Sequence, residues 1–172
     1  MTRITNYNLK EYLYEYFPII VLFISVLNEF NFNYLEIKYL SFNFSYILIF
    51  YYSLKKSKSL GYGLIFIAGL FNDVVVGMPL GISSLSYLFI CGFAAYLRNI
   101  TLRPNLIKDW IFFLITISVV NSFLYTTLSL IFLFEIDYLY FVLNTTITFF
   151  LYLLFSCLFY FYKKKIMGRS NA

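Results

Sequence analysis

Residues 69–81 read GLFNDVVVGMPLG. An acid, Asp73, stands inside a long apolar run, and the run then breaks at Gly-Met-Pro-Leu-Gly. Pro79 has no amide hydrogen to give a helix, and its ring clashes with the preceding turn. Gly77 and Gly81 permit the tight backbone turns that reverse a chain. The apolar pattern resumes at once in ISSLSYLF, residues 82–89. The stretch is therefore predicted to be the turn of a helical hairpin, with Ser83 or Ser84 capping the second helix.

The rest of the chain says what surrounds this hairpin. Of 172 residues, 62% are apolar and only 12% charged, and 22 Phe and 18 Tyr raise the aromatic share to 24%. Mean hydropathy is +0.80. A soluble globule of this length keeps too much area in water to hide that surface. A bilayer core about 30 Å thick takes about 20 residues of helix to cross. The expected fold is all-α, one integral membrane domain over residues 1–172 with no soluble domain. Its six transmembrane helices are expected at roughly 14–30, 39–54, 60–78, 82–98, 110–134 and 138–162. The runs are continuous, without the period-two alternation of barrel strands. The first, second and fourth are short, so they are expected to lie near the bilayer normal or to thin it locally. The first run, FPIIVLFISVLNEF, lacks a small-x-small cleavage site and reads as an uncleaved helix. The preceding TNYNLKEYLYEYF, residues 5–17, has the pattern of an interfacial helix with tyrosines at headgroup level.

Charge sorts by side. Arg3 and Lys10 precede the first segment, and Lys55, Lys56 and Lys58 follow the second. Arg98, Arg103 and Lys108 follow the fourth, and Lys163, Lys164, Lys165 and Arg169 follow the sixth. Twelve of the thirteen basic residues thus fall on one side, with Lys38 alone opposite beside Glu29, Glu36, Glu135 and Asp137. Adding or dropping one helix would scatter this pattern. The positive-inside rule places both termini in the cytoplasm. Lys55, Lys56, Lys58, Arg98, Arg103, Lys163, Lys164 and Lys165 are read as cytoplasmic basic anchors. The tail is suited to anionic lipid or an acidic partner. The net charge of +5 is then a matter of topology, and nucleic acid is not an expected partner.

A carboxylate at mid-membrane costs about 2.5–3.5 kcal/mol on insertion scales. Gly69, Asp73 and Gly77 recur every four residues and are expected on one helix face. Two glycines flanking the acid would let a neighbouring helix cover it, and Asn72 is placed to share its hydrogen bonds. Three uses stay open: pairing inside the bundle, holding a partner helix or ligand, and relaying protons. The last lacks a second intramembrane acid to form a chain. Milder polar groups cluster on other helices. Cys91, Gly92, Ala94 and Ala95 form a small-residue patch; Ser118, Asn121, Ser122 and Tyr125 share a face, as do Asn144, Thr145 and Thr148. Such groups are expected to hydrogen-bond between helices, at about 1 kcal/mol or less each. The chain has no histidine, which removes the commonest general base and metal ligand. Cys91 and Cys157 read as packing residues. No paired carboxylates, phosphate loop or nucleophile triad is legible, so no enzyme, metal or cofactor is expected.

The ordered set Gly69, Leu70, Asp73, Gly77, Pro79, Leu80 and Gly81 resembles the signature of the MreD family of bacterial rod-shape-determining membrane proteins. The resemblance implies a non-enzymatic inner-membrane component of the elongation machinery that directs peptidoglycan synthesis along the side wall. Its implied partners are MreC and, through it, the MreB filament, RodA and the elongation-specific class B penicillin-binding protein. It also implies a bundle similar to the substrate-binding subunits of energy-coupling-factor vitamin transporters. A second expectation follows from six helices, buried polar groups and abundant aromatics: a transporter subunit that binds a small, vitamin-like molecule. On either view the residues singled out are Gly69, Asn72, Asp73, Gly77, Pro79, Leu80 and Gly81.

Overall fold

A computed structural model describes residues 16–27, 42–55, 60–100, 105–133 and 137–167. They form six helices and, among the described residues, no strand: α1 (Tyr16–Leu27), α2 (Phe44–Lys55), α3 (Tyr62–Val76), α4 (Ile82–Ile100), α5 (Leu106–Phe132) and α6 (Tyr138–Met167). The interfacial reading of residues 5–15 and the anchors Lys56, Lys58 and Arg103 lie outside the described residues.

α2 is the axis of the bundle. Every residue from Ser45 to Leu54 is buried, as befits a helix that is hydrophobic all round. It packs against α4 and α6, α3 pairs with α4, and α5 bridges α4 and α6. Phe50 sits at the centre, 5.1 Å from the Phe113 ring and 5.7 Å from Tyr152, which stack on each other at 4.4 Å. α1 joins through a Ser25–Ser45 hydroxyl contact of 2.9 Å, Phe17 stacked on Tyr162, and Phe23 against Phe71. The outward faces carry large apolar side chains, among them Phe71, Ile115, Phe123, Leu153 and Leu154. An apolar exterior of this extent marks a surface made for something other than water. Two helices, Leu106–Phe132 and Tyr138–Lys165, are long and apolar enough to cross a membrane.

Helix ends differ from the sequence expectation for local reasons. α5 starts four residues earlier than residue 110, because the Asn105 side chain accepts the Ile107 N–H at 3.1 Å and caps it. Lys108, read with the loop after the fourth segment, belongs to its first turn, as does Asp109. α6 runs on to Met167, past residue 162, carrying Lys164 and Lys165 in its last turn, where the helix dipole favours cations. Its other end is capped by Asp137, whose Oδ1 accepts the Leu139 N–H at 3.1 Å. α3 stops at Val76, not 78, because Gly77 takes up a left-handed conformation, φ 72°, and returns its N–H to the Asp73 carbonyl.

Candidate functional site

The quoted stretch is a hairpin closed by its own acid. The Asp73 side chain is fully buried. Its Oδ2 accepts the Gly81 N–H at 2.7 Å and its Oδ1 the Ser83 N–H at 2.8 Å. These are donors from the start of α4, which has no intrahelical acceptors for its first amides. The cap of α4 therefore comes from the preceding helix, across the turn. Neither Ser83 nor Ser84 is the cap. Ser83 supplies its amide to Asp73 and its hydroxyl oxygen to Asn72 Nδ2, at 3.0 Å, while the Ser84 hydroxyl donates to the Phe66 carbonyl at 3.0 Å. The Asp73 carbonyl also accepts the Met78 N–H at 2.9 Å. One residue thus ends α3, holds the turn and starts α4.

The glycines divide the labour differently from the expectation of one shared face. Gly69 is the close-approach residue: a Cβ there would lie 2.6 Å from the Ser84 amide nitrogen and overlap its Cα. Gly77 lies past the helix end, and a Cβ on it would meet open space. It is glycine for its positive φ and lines no groove over Asp73. Gly81, φ 101°, meets the same need at the far side of the turn. Between them Pro79 is half-buried, Met78 is exposed, and Leu80, 72% exposed, forms the apolar tip. Gly92, expected in a close-packed patch with buried Cys91 and Ala94, also faces open space.

Beneath the hairpin, residues of or beside α1, α2, α3, α4, α5 and α6 line a half-open cavity of about 180 Å³. Asn43, Asn72, Asn121 and Asn144 line it together with the tyrosines 46, 87, 125 and 140. The polar faces read on the fifth and sixth segments meet here: Asn121 Nδ2 donates to Thr145 Oγ1 at 2.9 Å, linking α5 to α6. Asn43 Nδ2 donates to Asn144 Oδ1 at 3.1 Å, and its backbone N–H to Thr148 Oγ1 at 3.0 Å, tying the start of α2 to α6. Ser118 is half-buried and Ser122 exposed, so they take no part in that join.

At the opposite end the structure holds what residue-by-residue reading missed, a second buried acid. Asp109 is 2% exposed and pairs with Lys55 Nζ at 2.5 Å, joining α5 to the end of α2. Arg98 donates to the Ser53 carbonyl at 2.9 Å, joining α4 to the same helix. Two of the basic residues read as anchors are thus also cross-braces. The signal that was available is the apolar pair Leu106-Ile107 ahead of Asp109, which already belongs to a helix. Lys163, Lys164 and Lys165 are exposed.

Among curated proteins and among solved structures, no match is found. Against known families, residues 10–169 match that of the rod shape-determining protein MreD. The match takes in the hairpin, the cavity and the ion pair alike. By a match over nearly its whole length, the chain belongs to the MreD family and has its role in rod-shape determination.

Proposed function

We propose that the chain is a non-enzymatic, multi-pass scaffold of the bacterial inner membrane, which binds MreC and so helps to position peptidoglycan synthesis. Through MreC it reaches MreB, RodA and the elongation-specific class B penicillin-binding protein. The observation that carries this reading is the hairpin tip. Of the seven residues singled out, Gly69, Asn72, Asp73, Gly77, Pro79 and Gly81 form the hairpin turn or hold it, and the seventh, Leu80, is left exposed at its apex. A rigid loop with an apolar tip is the form a docking knob takes, because the ordering cost of binding has already been met in folding. Family membership supports the choice of MreC as its occupant.

The topology proposed with it is a single domain with six spans, both termini cytoplasmic, in a bundle similar to the substrate-binding subunits of energy-coupling-factor transporters. In its support, the basic ends of α2, α4 and α6 and the start of α5 gather at the end opposite the hairpin. The test is a Leu80→Glu variant in living rods. It is expected to keep the thermal stability of the wild type, because the side chain is exposed, and to lose at least tenfold in MreC recovered by gentle purification, with rounded cells. Undiminished MreC recovery and normal rods would refute the hairpin as the docking element.

A further inference from the structure

The cavity beneath the hairpin has a chemistry of its own. Of the sixteen described residues that line it, eleven carry hydrogen-bonding side chains and none is charged. Asn43, Asn72 and Asn121 each direct their amide N–H donors to protein acceptors: Asn144 Oδ1, Ser83 Oγ and Thr145 Oγ1. Each keeps a carbonyl oxygen that accepts nothing from the described residues. The three share the lining with aromatic rings, Tyr46 and Tyr87 edge to face at 5.8 Å among them. The Asp73 carboxylate nearby has both oxygens engaged by backbone amides. Among the described residues, the lining is therefore rich in acceptors and aromatic surface and carries no charge.

That combination selects a class of ligand. Among the described lining residues, an anion would meet carbonyl oxygens and no Lys or Arg. An ammonium group would meet no carboxylate among them, the nearby Asp73 being turned to two backbone amides. An apolar group would strand the carbonyls away from any donor. A neutral ring bearing several hydroxyls satisfies all the conditions, since its O–H groups donate to the carboxamides and its C–H face lies on tyrosine. Size agrees. At about 30 Å³ of liquid volume per water, the cavity has room for roughly six waters or one sugar ring. It falls below the roughly 300–1,000 Å³ of sites for larger ligands. A second crevice of about 340 Å³, between α5 and α6, shares Tyr125 with it and is lined by Ser122, Thr126 and Ser129. It offers a place for whatever the ring is attached to.

We infer that this cavity binds a single neutral sugar ring, either free or as the headgroup of a glycolipid. The inference does not depend on MreC binding. The test is native mass spectrometry of the full chain in phosphatidylglycerol nanodiscs, titrated with monoglucosyl diacylglycerol, with the same diacylglycerol lacking sugar, and with methyl β-D-glucopyranoside. Expected is a saturable one-to-one adduct with the glucosyl lipid that the methyl glucoside displaces, which supports the site with a lipid headgroup as its source. Binding of the methyl glucoside alone supports the site with a soluble source. Asn121→Ala is expected to weaken whichever binds about tenfold, with a small loss in melting temperature from its lost bond to Thr145, and Ser156→Ala, outside the cavity, to leave binding unchanged. No adduct with either sugar compound, equal binding of the sugar-free lipid, or unchanged affinity in a folded Asn121→Ala protein overturns it. Should that variant fail to fold, displacement on the wild type decides by itself.

Discussion

At the scale of single residues, the hairpin concentrates its energy in two positions. Asp73 satisfies two backbone N–H groups that have no other acceptor, and an unpaired buried donor costs about 1–3 kcal/mol. Asp73→Leu strands both and is expected to lower stability by about 2–5 kcal/mol. Asp73→Asn keeps one carbonyl acceptor and is expected to lose about half as much. Thermal or steric-trap unfolding in lipid checks the order, and equal losses would show that hydrogen bonding to both amides is not what the acid contributes. Gly69 and Gly92 make a paired test, since both lie in helices and only one touches a neighbour. Gly69→Ala forces Ser84 away and is expected to cost about 1–3 kcal/mol as overpacking. Gly92→Ala meets open space and is expected to gain up to about 1 kcal/mol in helix propensity. Opposite signs in the same unfolding assay are the result that the close approach requires.

At the scale of helices, the expected elements are there because hydrophobic run length is a strong signal, and their functional detail was hidden because charge is a poor guide to a helix boundary. The sequence shows an acid in an apolar run and a break after it, which suffices for the hairpin. It does not show that the acid reaches past the break to amides eight and ten residues on, because that depends on the turn's dihedrals. Asp109 is the opposite case. Beside Lys108 and behind Arg103 it has the pattern of loop, yet the Asn105 cap puts it in the first turn of α5, facing Lys55. The pair ties two helices whose apolar faces alone leave their relative height undetermined. Lys55 keeps 27% of its side chain exposed while Asp109 keeps 3%, so the burden of burial falls on the acid. Lys55→Met is therefore expected to cost more than Asp109→Leu, because it leaves the buried carboxylate alone. The double variant is expected to recover part of that loss, with a coupling of about 1–3 kcal/mol. Strict additivity in the cycle would mean the contact does not hold α2 against α5.

At the scale of the whole molecule, apolar composition announces the solvent and conceals the packing. α2 and α6 are both apolar along most of their lengths, yet α2 is buried from Ser45 to Leu54 while α6 turns Phe150, Leu153, Leu154 and Leu158 outward. To a helix in lipid, a neighbouring leucine and an acyl chain are nearly equivalent surroundings, so nothing in residue type says which apolar face meets protein. Polar residues do carry that information. Asn43, Asn121 and Asn144 all point to the same interior, and the three are far apart in sequence but close in space. What the order of the chain gives directly is the sidedness of charge, and that makes the six-span proposal testable. In a chain with Cys91 and Cys157 replaced by serine and alanine, single cysteines at Leu80 and at Lys108 report opposite ends of the bundle. Leu80 is at the hairpin tip, and Lys108 is in the first turn of α5 beside the Lys55–Asp109 pair. A thiol reagent that cannot cross membranes is expected to label Leu80→Cys in intact spheroplasts, and Lys108→Cys only after permeabilisation. Labelling of both from outside would place the basic end in the wrong compartment for the positive-inside rule. It would also set the hairpin tip and the basic end on one side of the bilayer, which an up-and-down bundle of spanning helices does not allow.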